Sequence, residues 1–202
     1  GEEFSMALFL LGVKPLWKNG SEKVNGIEVI TLAELGGPRV DVTLRVSGLF
    51  RDIFPSLTQL YNQSVIILSR RHESPEDNPF IRSESKSRVY GPRNGSYGLN
   101  MSSLVNEFSD KSKQEFGKEW IESSCWSING NDSFKDKKGI ECRIKEVESY
   151  LNVKDLVETD ILLSSDYVKH QGGFLAAKSN IGGVCNTYNI ENIDQKNIKI
   201  RT

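Results

Sequence analysis

Between Arg39 and Leu68 the hydrophobic spacing changes from alternation to a helical period within a single stretch, which restricts the possible folds more than any other feature of the chain. Val40, Val42, Leu44 and Val46 fall on one side of an extended segment, with Arg39, Asp41, Thr43, Arg45 and Ser47 on the other, the pattern of a strand over 39–47 with one buried face. Gly48 to Asp52 reads as a loop. Pro55 suits the first turn of a helix, and Leu57, Leu60, Tyr61, Ser64, Val65 and Leu68 continue it to Arg70-Arg71. Strand, loop and helix in this order predict the α/β class, in which sites gather at the carboxyl ends of strands. Arg51 and Asp52 fall at that end.

The rest of the chain divides by composition. Residues 1–71 form a first segment. Glu2 to Leu11 reads as a helix stopped by Gly12, Val13–Trp17 as an extended piece, and Gly26–Ile30 as a strand. Residues 72–89 are polar, carry Pro75 and Pro79, and read as a mobile connection. Residues 90–202 open with the glycine-rich loop Tyr90–Gly98 and look mainly helical. Helices are expected at Ser102–Phe108, Lys111–Ser123 and Glu141–Leu151, with a charged loop at Asn129–Gly139 and a short strand within Val153–Ile161. Ser165 could cap a helix through Asp166, Tyr167 and His170, which Gly172-Gly173 would either interrupt or let pack closely. Ile198-Lys199-Ile200 stands as an isolated β-type run.

Charge excludes several functions. With 26 Lys+Arg against 27 Asp+Glu the formal charge is −1, which is not the footprint of a nucleic-acid or polybasic membrane-surface binder. The longest wholly apolar run, Met6–Leu11, is far shorter than the roughly 20 residues of a membrane span. Glu2 and Glu3 stand where a signal peptide would be basic. Cys125, Cys142 and Cys185 make neither a disulfide framework nor a CxxC metal site; a reducing cytoplasm fits this usage. Mean hydropathy of −0.42 is low enough that part of the surface is expected to lie against something else.

Among motifs, the loop Gly91-x3-Gly95-x2-Gly98 lacks the Lys-Ser/Thr ending of a phosphate-binding loop and the strand context of a dinucleotide fingerprint. ATP is therefore not expected on this chain. Asp166 and His170 share a helix face at i, i+4, as two metal ligands or as a solvated hydrogen-bonded pair. His72 reads as a surface residue, and Trp17, Trp120 and Trp126 as packing residues. The set Glu34, Arg39, Asp41, Arg45, Arg51 and Asp52 combines fixed cations that clamp carboxylates with carboxylates that hold a hard cation or take protons. The alternative is a structural salt-bridge network, and the residues alone leave both open.

The same residues carry a resemblance. Thr31 through Pro55, with its core Glu34-Leu35-Gly36-Gly37-Pro38-Arg39-Val40-Asp41-Val42 and Ser47-Gly48-Leu49-Phe50-Arg51-Asp52, is similar to the signature of the cobaltochelatase large-subunit family, which is related to the magnesium chelatase large subunit. Ala7–Trp17, the Tyr90–Gly98 loop, the Leu162-Leu163-Ser164-Ser165-Asp166-Tyr167…Gly172-Gly173 block and Ile200-Arg201-Thr202 resemble further motifs of that family in the same order. Gly37 replaces an arginine of the family pattern, Ser164 an aspartate, and His170 an aromatic residue.

The resemblance implies a partial segment of a larger multidomain chelatase subunit. It implies insertion of Co²⁺, as substrate metal, into hydrogenobyrinic acid a,c-diamide on the route to cobalamin, with Mg²⁺ insertion into protoporphyrin IX as the alternative. AAA+ ATPase and adaptor subunits would carry ATP and Mg²⁺, and the segment alone would be inactive. On this reading Arg39, Arg45 and Arg51 bind substrate carboxylates, and Glu34, Asp41 and Asp52 are catalytic, escorting metal or taking protons. A docking module without catalysis is the second reading, with Lys111–Ser123 and Glu141–Leu151 contacting the ATPase assembly.

Overall fold

The computed structural model describes residues 2–18, 24–83, 87–99, 110–154, 168–194 and 197–201. The fold is α/β, with helices and several small sheets. Its contacts divide the chain into two compact units, Gly1–Gly95 with Trp126–Lys135, and Ser96–Cys125 with Asp136–Thr202.

In the first unit, α1 (Glu2–Leu11) buries Phe4, Ala7, Leu8 and Leu11, a one-sided helical spacing. Gly12 ends the helix at φ 80°, a conformation that costs glycine little. β1 (Val13–Trp17) and β2 (Val24–Val29) then pair antiparallel. The short α2 (Leu32–Leu35) begins with a full capping box. The Thr31 hydroxyl accepts from the Glu34 amide, and the Glu34 carboxylate accepts from the Thr31 amide at 2.8 Å.

The long strand expected at 39–47 shrinks to β3 (Leu44–Arg45), and the expected sidedness fails with it: Arg39 is buried while Val40 is 46% exposed. The hydrogen bonds give the reason. The Arg39 amide donates to Asp77 and the Val40 amide to Leu10, so this stretch follows no single neighbouring strand. Only at Leu44 and Val46, which donate to Arg88 and Tyr90, does it join a ladder. The loop expected at Gly48–Asp52 is instead helix α3 (Gly48–Ile53), started by the Ser47 hydroxyl accepting from the Phe50 amide. The helix after it, α4 (Pro55–Leu68), starts on Pro55 as expected.

The 72–89 connection, expected to be mobile, is pinned. Asn78 is fully buried, donating to the Leu68 carbonyl at 2.9 Å and accepting from the Phe80 amide; Phe80 is fully buried as well. β4 (Val89–Gly91) runs parallel to β3 and antiparallel to β5 (Trp126–Asn129), which turns into β6 (Asp132–Lys135). The charged loop expected at 129–139 is therefore half hairpin and half helix. Asn62 of α4 donates to the Ile128 carbonyl at 2.8 Å and accepts from the Arg88 amide, joining helix to sheet inside a core that includes Tyr61, Val65, Leu68 and Val89.

In the second unit α5 (Asp110–Ser124) covers the expected Lys111–Ser123 helix. α6 (Lys137–Glu146) is capped by Asp136, and the chain turns extended at Val147. The helix expected over Glu141–Leu151 therefore stops early, and β7 (Ser149–Lys154) takes its second half. A π-helical turn (Val168–Gly172) carrying His170 leads into α7 (Gly173–Ile181). β8 (Asn186–Asp194) pairs parallel with β7 and antiparallel with β9 (Asn197–Arg201), so the Ile198–Ile200 run is not isolated. The helix expected at Ser102–Phe108, most of the strand expected within Val153–Ile161, and Asp166 lie outside the described residues. No helix among the described residues is long and apolar enough to cross a membrane.

Candidate functional site

The first unit contains three arginine clusters, two on arginines the sequence singled out and one on Arg88, which it did not. Arg39, with its side chain wholly buried, donates to both Glu73 carboxylate oxygens at 2.8 and 2.7 Å. Nη1 donates to the carbonyls of Leu11 and Gly12, and Nη2, shared with Glu73, donates also to that of Ile30. One guanidinium thus supplies donors to the carbonyls where α1 ends and β2 exits, adding to the Ile30 amide that the Gly12 carbonyl already accepts. The Arg39 hydrogen bonds hold Glu73 at a pKa of about 2, against an opposing push from burial and with help from Asn78 and Arg71.

Among the described residues Arg88 is the largest fully buried side chain. It grips Asp41 with two nitrogens at 2.6 and 2.9 Å and also reaches the Ser83 hydroxyl and the Ser87 carbonyl. Tyr61, donating to the Val42 carbonyl at 3.0 Å beside this pair, has its pKa raised well above the usual phenol value, by burial first and the Asp41 charge second.

The third cluster lies at the carboxyl ends of the parallel strands β3 and β4. Arg51 of α3, its side chain 4% exposed, donates two nitrogens to the Asp52 carboxylate at 2.6 and 3.1 Å. Its third nitrogen donates to the carbonyls of Pro92 and Arg93 at 2.9 and 2.8 Å. The Asp52 side chain is 40% exposed. Arg93 lies over the Trp126 ring at 5.7 Å, within the range of cation–π attraction.

Of the predicted site residues, Arg51 and Asp52 are thus joined, and Asp41 is held by Arg88. Arg39 is paired at the far end of α1, and Glu34 is engaged in its capping box, where the Thr31 hydrogen bonds lower its pKa. Arg45 sits half-buried on β3. His170 lies in the π-helical turn of the second unit. Among the described residues no group of three or more His, Cys, Asp or Glu side chains is placed to hold a metal ion.

Sequence reasoning missed Glu73, Asn78 and Arg88, because all three sit in a segment whose polarity and prolines resemble a linker. The available signal was Val89-Tyr90, an apolar pair directly after Arg88 that marks the start of a buried strand.

Residues 1–202 match the family model described as CobN/Magnesium Chelatase. The aerobic cobaltochelatase subunit CobN of a Sinorhizobium species is 30% identical over 91% of the chain, and that of Pseudomonas aeruginosa 29% identical over all of it. A magnesium-chelatase subunit of Rhodobacter capsulatus is 28% identical over 91%. The solved catalytic subunit of cobaltochelatase from Mycobacterium tuberculosis superposes over the whole chain with a TM-score of 0.90 at 25% identity. The chain spans 16 to 18% of the length of these proteins.

Proposed function

The chain belongs to the CobN/magnesium chelatase family, and from that premise we propose that it is a segment of the large subunit of an ATP-dependent cobaltochelatase. The reaction inserts Co²⁺ into hydrogenobyrinic acid a,c-diamide. The observation that carries this reading is the end-to-end likeness, at 25% identity, to a solved cobaltochelatase catalytic subunit. Metal insertion needs a site that holds the macrocycle's carboxyl and amide side chains, strips water from the cation and accepts two pyrrole protons. Asp52 supplies a solvent-facing carboxylate held in place by Arg51. In this role it escorts the metal or takes a proton, and half-buried Arg45 lies on the strand leading to it.

Arg39, Asp41 and Glu34 serve the architecture instead. A wholly buried guanidinium already committed to a carboxylate and three carbonyls has no donors left for a substrate. ATP and Mg²⁺ act on AAA+ and adaptor partner subunits, since the Gly91–Gly98 loop lacks a phosphate-binding lysine and hydroxyl. The test is equilibrium binding of hydrogenobyrinic acid a,c-diamide and of protoporphyrin IX to the full subunit. At least tenfold preference for the corrinoid is expected. The reverse preference would assign the magnesium branch, and binding of neither would end the chelatase reading.

A further inference from the structure

We propose that Arg51 is a positioning residue that sets the loop after β4 as one rim of the tetrapyrrole site; this rests on the chelatase reading above. Arg93, Asn94 and Gly95 are all exposed, whereas Gly91 and Pro92 at the base of the loop are buried. Between these regimes the Arg51 guanidinium donates to two successive carbonyls, Pro92 and Arg93. Its other two nitrogens donate to Asp52. A planar fork can satisfy two carbonyls and a carboxylate at once; an ammonium offers no such fixed geometry.

The β4 end of the arrangement is rigid. A Cβ on Gly91 would lie 2.8 Å from the Val46 carbonyl oxygen and 2.8 Å from Ile128 Cδ1, so the strand entering the loop is packed tightly between its neighbours. The loop therefore leaves a fixed strand and is clamped one residue later. β3 and β4 are parallel, and the crevice beyond the carboxyl ends of parallel strands is where α/β folds bind ligands. Asp52 faces solvent here, and Arg93 and Asn94 are carried, exposed, by the loop that Arg51 holds. The guanidinium and amide suit carboxylate or carboxamide substituents of a macrocycle, while the carboxylate suits its metal or protons.

The experiment uses the full subunit carrying Arg51→Lys, with two readouts. One is amide hydrogen exchange of residues 93–99 relative to α4; the other is affinity for hydrogenobyrinic acid a,c-diamide. The expected result is loop exchange at least tenfold faster, α4 unchanged, and affinity at least tenfold weaker. Should Arg51→Lys fail to fold, Gly95→Ala keeps the test. Gly95 sits at φ 80° with nothing within 4 Å of a Cβ, so the strain stays in the loop, and the same loss of affinity is expected. Unchanged loop exchange in Arg51→Lys would overturn the clamp. Faster loop exchange with unchanged affinity would overturn the rim. If the unsubstituted subunit binds no corrinoid, the chelatase reading fails and takes the rim with it, while loop exchange still reports whether Arg51 clamps.

Discussion

The two units use a buried cation for the same task and solve it differently. In the first, Arg39 gathers three carbonyls and is neutralised by Glu73. In the second, Lys178 of α7, 4% exposed, aims its ammonium at the carbonyls of Ile144, Lys145 and Val147. That closes the carboxyl end of α6, where the helix dipole favours positive charge. Three rotatable donors suffice for three convergent carbonyl acceptors. The arginine's carbonyl acceptors come from two chain segments and its carboxylate from a third, which requires a wider, planar donor set. The arginine solution is therefore sensitive to acid, and the lysine solution is not expected to be.

Removing one member of a buried ion pair has the largest expected effect. Arg39→Ala leaves the Glu73 carboxylate with only Asn78 and Arg71 and takes a buried donor from three carbonyls, and should cost about 3–5 kcal/mol. Chemical denaturation followed by exchange of α1 and β1 amides measures it; a loss under about 1 kcal/mol would refute the structural role.

Next is a close helix contact of the second unit. A Cβ on Gly117 would fall 2.6 Å from the Ala176 carbonyl carbon and 2.7 Å from its oxygen, so α5 and α7 touch backbone to backbone. Gly117→Ala should destabilise by about 1–3 kcal/mol through overpacking, despite alanine's better helix propensity. A stabilised variant would show that this seam is looser than described.

Lys178→Met keeps the length of the side chain and removes its donors. It should cost about 1–3 kcal/mol, with no new pH dependence in acid.

The acid response then separates the units. Because the folded pKa of Glu73 is depressed to about 2, the stability it contributes is present above its ordinary value of 4.5 and drains away as pH falls from there toward 2. After allowance for solvent screening this amounts to about 1–2 kcal/mol, confined to the first unit. Glu73→Gln should flatten that part of the pH profile, read by urea denaturation at a series of pH values. A profile that keeps its slope would assign the acid sensitivity elsewhere.

What the sequence revealed follows from how local each signal is. α1, α4 and α5 were legible because their apolar spacing and stop or start residues, Gly12 and Pro55 among them, lie within or beside the element itself. The 39–47 stretch misled because alternation describes a strand only if one neighbour takes its hydrogen bonds. Here Asp77 and Leu10 take them separately. The 72–83 segment misled for the opposite reason: it is polar, yet its polar groups are spent inside, with Asn78 and Glu73 receiving partners from distant residues. Of the site, Arg51 and Asp52 were legible as a motif at a strand's carboxyl end. The carbonyls that Arg51 holds, 41 and 42 residues onward at Pro92 and Arg93, leave no mark in the side-chain sequence.

The division between architectural and reactive residues is tested most directly by the rate of Co²⁺ insertion in the assembled chelatase, compared for Arg39→Lys and Asp52→Asn at equal amounts of folded subunit. The account predicts that Arg39→Lys lowers stability yet inserts cobalt within about twofold of the unsubstituted rate. Asp52→Asn should fold normally and slow insertion by about 100-fold, the scale of a lost proton acceptor. The opposite pattern, with Arg39→Lys inactive while folded and Asp52→Asn unimpaired, would contradict it.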